Sequence, residues 1–101
     1  MIVVKVTYTV HDKYVSANKE RIQDFLTDFK KLDNTQFSYA VFQKEDDKTF
    51  VHLSQYQNKD IQKQLLNTAS FVYFQKQRDK NLDSEPQIEF LNPIGNSKDI
   101  L

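Results

Sequence analysis

The sequence predicts an α+β fold of the ferredoxin-like kind, a βαββαβ chain whose four-stranded antiparallel sheet has the order 4-1-3-2. Three observations predict it. Residues 2–10 alternate as a strand with one apolar face. Ile22, Phe25, Leu26, Phe29 and Leu32 recur at helical spacing. Two runs rich in aromatic and β-branched residues, 37–42 and 50–56, flank the charged segment Glu45-Asp46-Asp47-Lys48, which marks a turn. A second helical stretch and a last short strand complete the order, and right-handed crossovers place both helical regions on one side of the sheet.

In the first strand Ile2, Val4, Val6, Tyr8 and Val10 share the core face. His11-Asp12-Lys13 breaks the alternation and opens a loop. Ser16 is the expected N-cap of the first helix, Lys30 and Lys31 suit its negative end, and Asp33-Asn34-Thr35 ends it. A hairpin turn centred at Asp46-Asp47 would pair Phe42 with Phe50 and Val41 with Val51. That register puts Ala40, Phe42, Phe50, His52, Ser54 and Tyr56 on one face and Phe37, Tyr39, Val41, Val51 and Leu53 on the other. Asn58 can cap a second helix carrying Ile61, Leu65 and Leu66. The small residues 67–70 interrupt it before Phe71, Phe74, Arg78 and Leu82 resume the spacing, so either one bent helix or two are expected, the second capped near Thr68 to Ser70. Residues 83–86 read as a loop and 87–91 as the closing strand, stopped by Asn92-Pro93. The tail is polar up to Ile100-Leu101.

A chain of 101 residues is read as one domain, 1–101, with its core in about 2–92 and a tail at 93–101. Fourteen basic and fourteen acidic side chains balance, so no general attraction to nucleic acid or an anionic membrane is expected. No cysteine is present, which excludes thiolate metal sites and disulfides, and no ligand-spaced motif links His11 with His52. A single glycine, Gly95, rules out glycine-rich phosphate loops. No metal or cofactor is therefore expected. The short apolar start, with no basic leader, reads as a strand, and no run approaches a membrane span, so a soluble cytoplasmic protein is expected.

Two helical regions cover only one face of a sheet. Both faces of the expected hairpin are largely apolar, so the second face needs a cover, and at this length that is a second copy. The expected assembly is a homodimer in which two sheets pack into an α+β barrel.

With this order, the opening strand into Ser16, the strand Lys48-Thr49-Phe50-Val51-His52-Leu53-Ser54-Gln55-Tyr56 and the interrupted helix with Ser70-Phe71 and Phe74, the chain resembles the antibiotic biosynthesis monooxygenase family of dimeric α+β barrels. The resemblance spans 2–92. It implies an oxidoreductase activity of the cofactor-independent kind on a phenol or quinol, in a cleft between sheet and helices. The alternative is a non-catalytic homodimer that binds a hydrophobic metabolite. Tyr56 stands where the family often has Trp, Ser54 where it often has Glu, and Leu65 and Ser70 where it places helix histidines.

His52 is the candidate catalytic residue. An imidazole titrating near 6.5 among Phe50, Phe42 and Tyr56 would take a phenolic proton near neutral pH. The competing account is a neutral, hydrogen-bonded histidine at the dimer face. Tyr8, Phe50, Tyr56, Phe71 and Phe74 are the candidate substrate-binding residues for a small hydrophobic or aromatic molecule, with Tyr39 as a further tyrosine of the same kind. His11, beside Asp12, reads as exposed.

Overall fold

The computed structural model describes residues 1–98; Ile100-Leu101 lie outside the described residues. Strand β1 (Ile2–Val10) leads through a short 3-10 turn (Asp12–Tyr14) into α1 (Val15–Phe29). The hairpin β2 (Phe37–Gln43) and β3 (Thr49–Tyr56) follows, then α2 (Lys59–Leu66), α3 (Ala69–Asp79) and β4 (Leu82–Leu91). All strand pairs are antiparallel, and the order β2-β3-β1-β4 is the expected 4-1-3-2. No helix of the described residues is long and apolar enough to cross a membrane.

Local chemistry explains where the elements start and stop. The N–H of Tyr14 donates to the His11 carbonyl at 2.8 Å, so the 3-10 turn runs directly into α1. Ser16 is therefore inside the first turn, not the N-cap, which is Tyr14. At the other end the bonds from Lys31 to Asp28 and from Leu32 to Phe29 tighten to i→i−3 and wind the helix down. Leu32, expected in the helix, lies beyond it and packs on the core from there. Asn58 caps α2 as expected, its side-chain oxygen accepting from the Ile61 N–H at 3.0 Å. The interruption resolves into two helices, with Thr68 as the N-cap of α3.

Strand β4 is twice the expected length. Residues 83–86, expected as a loop, belong to it, and Leu82 pairs with Val10 instead of ending a helix. Its register against β1 shifts between Thr7, which faces Gln87, and Thr9, which faces Ser84. Pro86 lies inside this irregularity on an edge strand. A residue without an N–H is tolerated there because no ladder bond is lost.

The hairpin register differs by one residue from the expected one. Gln43 faces Phe50, Val41 faces His52 and Tyr39 faces Ser54. The loop is one residue shorter than the expected pairing requires: Lys44 N–H donates to the Thr49 carbonyl at 2.8 Å, leaving four residues between them, centred on Asp46-Asp47. Asp46 Oδ1 accepts from the N–H groups of Lys48 and Thr49, and Asp47 takes a left-handed φ of 64°. A slip of one residue moves every β2 side chain to the opposite face. Phe37, Tyr39 and Val41 therefore share the helix-covered face with His52 and Tyr56, while Ala40 and Phe42 point away from it.

The core lies between this face and the helices. Val4, Tyr8, Val10, Phe37, Phe50 and Tyr56 meet Ile22, Phe25, Phe29, Leu65, Phe71 and Phe74. Phe25 is at its centre, fully buried, with ring centroids 4.9 Å from Phe74 and 5.0 Å from Phe71. Each such ring contributes roughly 2–3 kcal/mol of burial. The opposite sheet face mixes Val3, Ala40, Val51 and Leu53 with Lys5, Thr7 and Gln55, and leaves Phe42 57% exposed.

Candidate functional site

The helices cover β2, β3 and part of β1 but leave the helix-side face of β4 open. Ile88 and Phe90, which stand opposite Val6 and Val4, are 61% and 75% exposed. Between them and α2–α3 lies a cleft of about 270 Å³. Its walls are apolar, formed by Val4, Val6, Leu66, Phe71, Ile88 and Phe90. Tyr39, His52, Ser54, Tyr56, Gln62, Gln75 and Arg78 supply its polar groups.

Arg78 is the one formally charged side chain in that lining. It comes from the last turn of α3, four residues after Phe74, and is only 12% exposed. Its guanidinium carbon lies 5.3 Å from the Tyr8 ring centroid and 5.4 Å from that of Phe74, where ring faces attract a cation. Nε and Nη2 donate to Oδ1 of Asp79, which is 57% exposed. Those bonds leave other donors of the five-hydrogen fork for a ligand.

His52 is 2% exposed and both ring nitrogens are engaged. The Tyr8 hydroxyl lies 2.7 Å from Nε2 and the Tyr39 hydroxyl 2.8 Å from Nδ1. Asn18 Nδ2 donates to the Tyr8 oxygen at 3.0 Å. Phe74 stacks on the imidazole at 5.4 Å, and Phe25 lies 6.0 Å away. Burial, with the Arg78 charge as a smaller cause, lowers the His52 pKa to about 3. The expectation of an imidazole titrating near 6.5 is thereby corrected: low-dielectric surroundings disfavour its charged form. Burial likewise raises the pKa values of Tyr8, Tyr39 and Tyr56, so all three hydroxyls stay protonated at neutral pH.

Of the residues expected to bind substrate, Tyr56 and Phe71 line the cleft together with His52. Tyr8, Phe50 and Phe74 do not; they are core residues behind it, 1%, 2% and 0% exposed. Tyr8 stacks on Phe50 at 5.7 Å and touches the cleft lining through its hydrogen bond to His52 and the Arg78 guanidinium over its ring. The reason is α1 and α3, which close over β1 and β3 at that end. Tyr39 and Asn18 complete the hydrogen-bonded chain through His52 and Tyr8, and Arg78 lies over the Tyr8 ring beside it. Arg78 and Asn18 carried a readable signal, each being polar on an apolar helical stripe, Asn18 four residues before Ile22 and Arg78 four after Phe74. His11, expected to be exposed, is so, and lies 3.5 Å from Asp83.

No protein-family profile matches the sequence. No curated protein matches it either. Solved structures do. An antibiotic biosynthesis monooxygenase superposes with a TM-score of 0.80 over 94% of this chain and 100% of its own, at 8% identity. A Bacteroides thetaiotaomicron protein provisionally named as one gives 0.84 over 99% and 95%, also at 8% identity. A Caulobacter crescentus protein of the same provisional name gives 0.79 over 93% and 90%, at 18% identity. The chain thus has the fold of the antibiotic biosynthesis monooxygenase-like structures, as the sequence resemblance implies.

Proposed function

We propose that the cleft takes a small phenol or quinol and promotes its cofactor-independent oxygenation. The observation that carries this reading is Arg78, a largely buried cation in an apolar cleft, paired with the half-exposed carboxylate of Asp79, which lies outside the cleft lining. Such a site favours the ionised form of a phenol over the neutral one. The phenolate is also the form from which an electron passes most readily to dioxygen. The resulting radicals combine at a ring carbon, and the hydroperoxide loses water to give a quinone. Phenol and O2 thus become quinone and H2O, one oxygen atom entering the ring and the other leaving as water. In this reading Arg78 faces the phenolic oxygen, Tyr39 stands beside it, and His52 holds Tyr39 in place. Phe71 and Tyr56 flank the ring.

Oxygen uptake with a panel of phenols and quinols tests it. Consumption by the wild type that falls at least tenfold in Arg78→Gln supports the reading. Consumption no higher than a protein-free control across the panel contradicts it. The second reading, binding without turnover, draws on the state of His52, whose low pKa and two occupied nitrogens leave no free base at neutral pH. Ligand-dependent thermal stabilisation without oxygen uptake would favour it.

The protein is further proposed to be a homodimer that packs its outer sheet faces together. Exposed Phe42 and Leu91, with Val51 and Leu53 between them on that face, support this.

A further inference from the structure

Asn18 occupies a position on α1 where the apolar stripe would place a hydrocarbon side chain, and it is completely buried. It does not line the cleft. We infer that Asn18 sets the direction of the hydrogen bonds through Tyr8 and His52, and thereby makes the Tyr39 hydroxyl a donor toward the cleft.

The direction follows from what each group can do. Asn18 Nδ2 can only donate, and the atom it meets at 3.0 Å is the Tyr8 oxygen. The Tyr8 O–H remains to donate, and its neighbour at 2.7 Å is His52 Nε2. A neutral imidazole has one N–H and one lone pair. With the lone pair of Nε2 taken, the proton sits on Nδ1 and is donated to the Tyr39 oxygen at 2.8 Å. The Tyr39 O–H then has no acceptor among the described residues, and Tyr39 lines the cleft. Turning the Asn18 amide over would reverse every one of these bonds. It would leave both Nδ2 hydrogens buried without a partner among the described residues, where now one of them and Oδ1 are so. In protein interiors orphaned N–H groups are rarer than under-satisfied carbonyl oxygens.

The consequence for a ligand rests on the reading of the cleft as a ligand site. Arg78 can only donate and Tyr39 is committed to donating, so these two groups together suit a phenolate or carbonyl oxygen placed between them. Asn18 is a positioning residue, acting through three hydrogen bonds.

The test is the tautomer of His52, read from the ring-nitrogen resonances of protein labelled with 15N-histidine, with no ligand added. The wild type should carry its proton on Nδ1. In Asn18→Asp the carboxylate accepts from the Tyr8 O–H and the proton should move to Nε2. A wild type protonated on Nε2, or a mixture of both tautomers, overturns the inference. So does an Asn18→Asp protein that folds with the wild-type tautomer. Should that variant not fold, the wild-type spectrum decides alone. Because the measurement needs no ligand, failure of every phenol to bind would sink the cleft reading without touching this one.

Discussion

The hydroxyl of Tyr39 lies 2.8 Å from Nδ1 of His52, although the two side chains come from different strands of the hairpin. They meet because Val41 faces His52 across the ladder and Tyr39 is two residues along on the same face. The Asp46 turn sets that register. Removing the Asp46 carboxylate should loosen it. Asp46→Ala is expected to lower the urea midpoint of unfolding, as the loss of a side-chain cap on backbone N–H groups does.

Burial of His52 makes stability depend on pH in a stated direction. Its folded pKa of about 3 lies below the 6.5 of the unfolded chain, so the unfolded state takes the proton first. The contribution is full above pH 6.5 and is lost progressively as pH falls from 6.5 to about 3. That gap corresponds to about 5 kcal/mol. Urea midpoints measured across this range should fall steeply for the wild type and more gently for His52→Phe.

The three buried tyrosines act at the other end. Burial raises the folded pKa values of Tyr8, Tyr39 and Tyr56, so the unfolded chain loses these protons first as pH rises. Stability they support below pH 10 should disappear above it. Ultraviolet titration should show these phenols ionising together with loss of far-ultraviolet circular dichroism, not before it.

Phe25 closes the space between α1, α3 and His52, with five aromatic neighbours. Phe25→Ala should cost about 3–5 kcal/mol, from lost burial and the cavity left behind. Chemical denaturation gives the value directly.

A homodimer through the outer sheet face predicts that Phe42→Glu dissociates it. Phe42 is exposed in the single chain and has no role in the core, so the variant should stay folded. Sedimentation should give a dimer for the wild type and a monomer for the variant.

Much of this architecture could be read from the chain. The nine-residue alternation of β1 and the Asn58 cap are local signals; the first located its strand to the residue and the second marked where α2 begins. The connections were legible because crossover handedness leaves few choices. What escaped was set by detail beyond periodicity. A charged turn of aspartates permits four or five loop residues, and that one residue decides whether Tyr39 joins His52 or faces away. Residues 83–86 resemble a loop in composition, but a proline on an edge strand with a register shift is compatible with pairing. Within the site, His52, Tyr56 and Phe71 were legible as candidates because aromatic and imidazole side chains stand out. Asn18 and Arg78 stand on apolar stripes, but what a polar residue there touches is not readable until the neighbouring helix is known, so their place in the site was missed.

The most direct measurement is the ionisation of 4-nitrophenol bound to the protein, followed by its visible absorbance. If the Arg78 cleft stabilises a phenolate, the midpoint of the bound phenol should lie at least one pH unit below that of the free compound, and Arg78→Gln should restore it. The predicted size is that of one charge-assisted contact, about 1.5–3 kcal/mol or tenfold and more in affinity for the ionised form. A bound phenol with an unshifted midpoint, or the same shift in Arg78→Gln, would contradict the account.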